Sequence, residues 1–340
     1  MSLAAGRCDG SMEVNGVFEG GGVKAIALVG AIKAAEEQNV RFHQVAGTSS
    51  GAIVASLLAA GYTADELKKM MLETPFTDFL VKSWFHQIRL VGPAIRLFVK
   101  KGLYSGQKLE QWVSQKLAAK GIKTFADLPR DKLRIIASDI SRGRLLVLPH
   151  DIGQYGIEPD RLPVSYAIRM STSIPYFFDP VVIRKSAKVR PKSETFSDQF
   201  IYIVDGGLLS NFPLWIYDQQ NSKIPENEQI PTVGFHLVGR QANTARSIIG
   251  PLSMFQALFA TMMEAHDERY IEEWNRFRTI KIPTLGVRVT DFDIKPDKSM
   301  ELYYSGYSAA SQYFQKWSHE HYVTCFKQFI RDRTDNGLLA

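Results

Sequence analysis

The segment EVNGVFEGGGVKAIALVGAIKAAEEQ, residues 13–38, decides how the chain begins to fold. Residues 13–19 form a short strand-like run around Val14, Val17 and Phe18, residues 20–22 are three consecutive glycines, and apolar residues recur at helical spacing over 23–38. This is a strand-turn-helix opening. A second such unit follows: residues 42–47 lead into Gly47-Thr48-Ser49-Ser50-Gly51, and residues 52–60 are small and apolar on all sides, the pattern of a buried helix. Thr63 with Glu66 fits a capping box, which predicts a helix over 64–73.

Further along, strands are predicted at 133–138, 145–148, 200–204 and 232–238, separated by helical or polar stretches. The alternation predicts an α/β fold, a three-layer α/β/α arrangement with a central, mostly parallel sheet. No fixed-period repeat is visible. The polar connectors 184–198 and 218–231 do not separate halves of distinct composition and read as surface loops. Residues 1–12 read as a flexible leader and 13–335 as a single domain, with 241–335 its helix-rich C-terminal part around a strand or loop at 280–289.

Composition limits the function classes. The chain has 340 residues, 45% hydrophobic and 22% charged, which excludes collagen-like, disordered and coiled-coil chains. The uncharged stretch 45–62 contains Gly, Ser and Thr and falls short of the ~20 apolar residues that span a bilayer, so no transmembrane helix is expected. The first twelve residues lack the apolar core of a secretory signal. Two cysteines, Cys8 and Cys325, supply neither a disulfide framework nor a four-ligand zinc site, and a cytoplasmic location is expected. The net charge of +6 is mild, and without a nucleic-acid motif it points to no nucleic-acid partner.

Three glycine-bearing motifs carry the chemistry. Gly47 to Gly51 match G-x-S-x-G, in which a sharp strand-to-helix turn exposes a serine hydroxyl while the glycines remove side chains that would clash. The alternative is a tight glycine turn with a helix-capping serine. Gly20-Gly21-Gly22 can converge backbone N–H groups on an oxyanion or a phosphate at the following helix N-terminus. A dinucleotide reading is weakened because no acidic residue stands near 40–44, and no Walker G-K-[ST] occurs. Asp205-Gly206-Gly207 places a carboxylate at a strand end, either as a desolvated general base or as an ordinary turn aspartate.

Together these motifs resemble the patatin-like phospholipase family. Gly20 to Lys24 is similar to its glycine-rich oxyanion loop, Gly47 to Gly51 to its G-x-S-x-G, and Asp205-Gly206 to its D-G-[GA]. Residues 167–178, AIRMSTSIPYFF, are similar to a further family block before the aspartate. Ala25 departs from the family's usual glycine after the basic residue. The resemblance covers roughly residues 13–237 and implies a lipid acyl-ester hydrolase, of phospholipase A or lysophospholipase type. It implies a Ser49–Asp205 dyad acting through an acyl-enzyme, an oxyanion hole from Gly20, Gly21, Gly22 and Val23, and supporting roles for Lys24, Gly47, Gly51 and Gly206. It implies no metal and no organic cofactor.

Two alternatives stay open. Ser49, Asp205 and His236 have the chain order of an α/β-hydrolase triad, although the glycine loop lies earlier than that fold places it. A catalytically silent lipid-binding protein is the other. Residues 76–104 interleave aromatic and aliphatic residues with Lys82, Arg89, Arg96, Lys100 and Lys101, and read as peripheral membrane contact or as helices with basic outer faces. The basic run 184–192 reads as solvated surface or as a phosphate-recruiting loop.

Overall fold

A computed structural model describes residues 12–80, 96, 100–191, 193–225, 228–239, 248–250, 253–255, 257–262, 275–289 and 291–335. Ten strands are described: β1 (Met12–Phe18), β2 (Val40–Thr48), β3 (Gly102–Tyr104), β4 (Leu133–Asp139), β5 (Arg144–Leu148), β6 (Tyr176–Phe178), β7 (Val181–Arg184), β8 (Phe200–Asp205), β9 (Thr232–Val238) and β10 (Thr279–Pro283). The main sheet runs β10-β9-β1-β2-β4-β8-β7, with β5 also paired to β4. Pairing is parallel from β10 across to β4. It is antiparallel where β8 and β5 meet β4 and where β7 meets β8. A separate parallel pair joins β3 to β6.

The helices are α1 (Ala25–Glu37), α2 (Ser50–Ala59), α3 (Ala64–Glu73), α4 (Gln107–Ala119), α5 (Val164–Ser171), α6 (Asp218–Asn221), α7 (Pro296–Lys316) and α8 (His319–Asp335). The mostly parallel sheet flanked by helices is the architecture that the alternation of strand and helix patterns predicts. The strands expected at 133–138, 145–148, 200–204 and 232–238 are present as β4, β5, β8 and β9, and Thr63 and Glu66 close the capping box that starts α3. β7 is the difference. It pairs Arg184 with Phe200, so the connector read as a loop from 184 begins as the last residue of an edge strand. Its four residues, Val-Val-Ile-Arg, are too few for an alternating pattern to stand out, and only β8 across the turn makes them a strand.

Alternate residues of the central strands serve the two faces of the sheet. Val14, Phe18 and Val45 pack with α1, α2 and α3 in the larger core. Val17, Ala46 and Ile136 meet Phe212, Leu214, Ile216 and Tyr217, so a compact chain turn rather than a long helix covers the sheet there. Among the described residues, no helix is long and apolar enough to cross a membrane.

Much of the 76–104 segment, including Lys82 and Arg89, lies outside the described residues, as do residues 1–11 and most of 240–274. Arg96 is a correction to the lipid-contact reading. Its side chain is buried, and its guanidinium grips both carboxylate oxygens of Asp179 at 2.8 and 2.9 Å, so it ties its segment to the chain after β6 instead of facing lipid. Lys100 and Lys101 are exposed. In the basic run 184–192, Arg184 and Arg190 both donate to Gln199 Oε1, and Lys185 pairs with Glu194. These cations are tied within the loop.

Candidate active site

β2 ends at Thr48 and α2 begins at Ser50, which leaves Ser49 on the turn between them with φ 54° and ψ −126°. A non-glycine residue at positive φ is strained, and it persists because the surroundings over-determine it. The Ser49 N–H donates to Ser171 Oγ at 2.8 Å, and the Ser49 carbonyl accepts the N–H groups of Ala52 and Ile53 at the start of α2. The glycines on either side are sterically required. A Cβ on Gly47 would lie 2.4 Å from the Gly51 carbonyl oxygen, and one on Gly51 would lie 2.3 Å from that of Phe18.

The turn aims the Ser49 hydroxyl at Asp205, whose Oδ2 accepts it at 2.7 Å. Asp205 closes β8, pairs with Ala137 of β4 and is held twice more. Its N–H donates to the Ser173 carbonyl at 2.9 Å, and its Oδ1 accepts the Gly207 N–H at 2.8 Å. Gly206 fits because a Cβ there would come within 2.4 Å of the Ile136 carbonyl oxygen. The carboxyl group is 1% exposed, and burial pushes its pKa from 3.8 to about 7, opposed in part by the hydrogen bonds from Ser49 and Gly207. A carboxyl group in that range is poised to exchange a proton near neutrality.

The glycine loop stands beside this pair. Gly20 N–H donates to the Asn211 carbonyl at 3.2 Å and Gly21 N–H to Ser50 Oγ at 2.9 Å, so both are engaged in holding the loop to its neighbours. Gly22 has φ +57°, and a Cβ there would meet the Val289 carbonyl oxygen at 2.1 Å. The short helix Gly22–Lys24 and then α1 begin at this point. The N–H groups of Gly22 and Val23 fall in the first turn, where helices leave donors without intrahelical partners. Lys24 is half-buried, and its N–H donates to the Gly21 carbonyl. Ala25, where the family usually has glycine, is buried at the start of α1.

His236 is not joined to the serine–aspartate pair. Its Nδ1 lies 2.7 Å from Glu19 Oε2, and the ring packs beside Phe212. Glu19 is buried directly before the glycine loop, where it also accepts the Leu237 N–H and the Asn211 Nδ2–H. Asn211 Nδ2 reaches the Gly20 carbonyl at 3.1 Å as well. Sequence reasoning gave no role to Ser171, Ser50, Asn211 or Glu19. Ser171 sits in the block 167–178, and Asn211 follows Asp205-Gly206-Gly207 closely; those placements are the signals that could have singled them out.

A small apolar cavity of about 20 Å³ is lined by Ala25, Ser50, Ile53, Phe79, Leu109 and Trp112.

A family profile described as patatin-like phospholipase matches residues 16–217, a span that contains the glycine loop, Ser49 and Asp205. The chain is 37% identical over 310 residues to the uncharacterized protein YqhO of Bacillus subtilis, covering 91% of this chain and all of that one. It is 23% identical over 215 residues to the probable lipid hydrolase 463L of Invertebrate iridescent virus 6, covering 61% of this chain and 64% of the viral protein. Among solved structures, VipD from Legionella pneumophila superposes with a TM-score of 0.50 at 18% identity, over 90% of this chain and 67% of that chain, a likeness of fold. With the profile spanning more than half of its length and a full-length relative at 37% identity, the chain belongs to the patatin-like phospholipase family.

Proposed function

We propose that this protein hydrolyses lipid acyl esters with Ser49 as nucleophile and Asp205 as its sole general base. The observation that carries the reading is the 2.7 Å hydrogen bond from Ser49 Oγ to a buried carboxylate. Membership of the patatin-like phospholipase family supports lipid acyl hydrolysis as the reaction class.

In the first step Ser49 Oγ attacks the ester carbonyl carbon while Asp205 Oδ2 takes the hydroxyl proton. The carbonyl oxygen becomes an oxyanion that the Gly22 and Val23 N–H groups receive, helped by the positive end of α1. Gly20 and Gly21 act differently. Their N–H groups fix the loop, to Asn211 and to Ser50, so that the next two donors point correctly. Collapse of the intermediate breaks the ester C–O bond, and Asp205 returns its proton to the leaving alcohol oxygen. Water then attacks the acyl-enzyme, gives a proton to Asp205 and releases the fatty acid, with Ser49 re-protonated.

The test is hydrolysis of a short-chain p-nitrophenyl ester and of a phospholipid by wild type, Ser49→Ala, Asp205→Asn and His236→Ala, with folding followed by circular dichroism. Ser49→Ala and Asp205→Asn are expected to lose about 10³-fold or more in kcat, as for members of a nucleophile–base unit, and Ser49→Ala to lose fluorophosphonate labelling. His236→Ala retains the chemistry, with a loss confined to loop positioning. Loss equal to that of Asp205→Asn would restore the triad. An inert wild type that still binds lipid would make the protein a binder.

A further inference from the structure

Between Arg246 and Glu264 the sequence carries no charged residue: SIIGPLSMFQALFATMM, residues 247–263. In a soluble core such a run is covered, but here much of it is not. Ile248, Ile249, Met254, Leu258 and Met262 are 40% to 90% exposed. Residues 253–255 and 257–262 are helical, and Met254, Leu258 and Met262 follow at four-residue spacing, which puts them on one helix face. The other face also holds large apolar groups. Phe255 packs edge-on against Tyr176 with ring centroids 4.5 Å apart, and Phe259 is buried. A helix that is apolar on both faces while one of them is open matches a low-dielectric surface rather than water.

The place of this helix in the fold says which surface. Tyr176 lies three residues after Ser173, whose carbonyl accepts the Asp205 N–H, so the helix docks on the chain segment that holds the catalytic base. Leu209, on the turn after Asp205, is also exposed. β6 pairs with β3 at Tyr176 and Gly102, so the exposed Lys100 and Lys101 directly precede the strand partner of the residue on which the helix packs, with Lys101 Nζ 5.1 Å from the Tyr202 ring. Apolar side chains rimmed by lysines complement a membrane surface bearing anionic headgroups.

We propose that Ile248, Ile249, Met254, Leu258 and Met262, flanked by Lys100 and Lys101, form the surface by which the protein docks on an anionic lipid–water interface. Docking there presents the serine–aspartate site to the layer that contains its substrate. The inference rests on the lipid acyl-hydrolase reading of that site, and it places lipid contact on the 248–262 segment and the two lysines, not on Arg96.

The experiment uses the full chain with vesicles of phosphatidylcholine alone and of phosphatidylcholine mixed with phosphatidylglycerol. Wild type is expected to co-sediment with the mixed vesicles more strongly than with phosphatidylcholine alone. Met254→Glu with Leu258→Glu lowers that binding about tenfold or more, because two partly buried apolar contacts are exchanged for charges. Hydrolysis of vesicle phospholipid falls in parallel, while hydrolysis of a soluble short-chain ester stays within about twofold of wild type. Ile249→Glu, at the most exposed position and outside the helix, gives the same pattern with the least disturbance to folding. Unchanged binding by both variants overturns the proposal, as does a wild type that ignores the mixed vesicles. A wild-type dimer that these variants convert to monomer, with vesicle binding unaltered, assigns the face to self-association and also overturns it. Ser49→Ala separates this inference from the one beneath it, since it binds vesicles like wild type without hydrolysing them. Hydrolysis surviving in Ser49→Ala would sink the nucleophile assignment and leave the docking result standing.

Discussion

Burial acts on Asp205 in two opposing ways. A pKa of about 7 leaves the carboxyl group half ionised at neutrality, so it binds the Ser49 proton far better than an exposed aspartate would. With ionised Asp205 as the proposed base, kcat/KM is expected to rise with pH and to reach half its plateau near pH 7 in wild type. A profile flat from pH 5.5 to 8.5 would exclude Asp205 as the base. The same shift burdens the fold. The folded-state value lies above the ordinary 3.8, so the folded protein holds a proton that the unfolded chain has lost between those values. The stability this contributes is fully present below about pH 4 and is lost as pH rises through about 7. Three pKa units correspond to roughly 4 kcal/mol, as an order of magnitude. Asp205→Asn keeps an oxygen for the Gly207 N–H and removes the buried charge, so it is expected to be more stable than wild type at pH 8, with the gap narrowing at pH 5 and closing only below about pH 4. Urea unfolding at the two pH values checks this; an equal difference at both would contradict the shift. Asp205 and Ser49 were legible in the sequence as candidates because glycines follow the one and bracket the other. Ser171 and Asn211 were not, since they act through backbone groups of the serine turn and the glycine loop, and nothing in their spacing reveals a backbone partner.

At the level of elements, α1 links the glycine loop at its N-terminus to helix α7. The two helices touch through glycines at unusually short range. A Cβ on Gly306 would lie 1.8 Å from the Ala27 carbonyl oxygen, and one on Gly30 would lie 1.9 Å from that of Tyr303. Both atoms met are backbone, so no rotamer change can relieve the overlap. Gly306→Ala therefore forces α7 away from α1 and is expected to destabilise by about 1–3 kcal/mol despite the higher helix propensity of alanine. The displacement also reaches the loop that α1 anchors, so kcat falls while the fold persists. Urea denaturation and ester hydrolysis on the same sample test it, and a neutral or stabilising effect would mean that the helices are further apart in solution. Periodicity identified α1 and α2 because one is apolar at helical spacing and the other is small throughout. It could not identify Gly30 and Gly306 as contact points. From sequence a glycine inside a helix is only a propensity cost, and its reason lies on the other helix.

For the whole molecule, the family-matched region ends at residue 217 but the sheet does not. β9 and β10 come from beyond it: β9 pairs onto β1, the strand that leads into the glycine loop, and β10 pairs onto β9. The C-terminal part thus completes the central layer, which supports the reading of one cooperative domain. Asp218, the first residue past that boundary, is fastened to Arg278. Both are buried, and the guanidinium meets both carboxylate oxygens while lying against the rings of Phe326 and Phe329 of α8 at 5.6 and 4.8 Å. Removing one partner of such a pair leaves an uncompensated charge in a low-dielectric site, typically worth about 3–5 kcal/mol. Asp218→Ala is accordingly expected to destabilise the entire chain by that amount, with α8 and the serine site lost in the same transition. Tryptophan fluorescence and far-UV circular dichroism followed against urea measure it, since Trp215 lies in the matched part and Trp317 between α7 and α8. Coincident curves for wild type, shifted together in Asp218→Ala, are the expected result. Should the variant unfold in two steps, with the 12–217 part surviving and still hydrolysing esters, the C-terminal strands and helices would be a separable unit docked on a self-sufficient catalytic core.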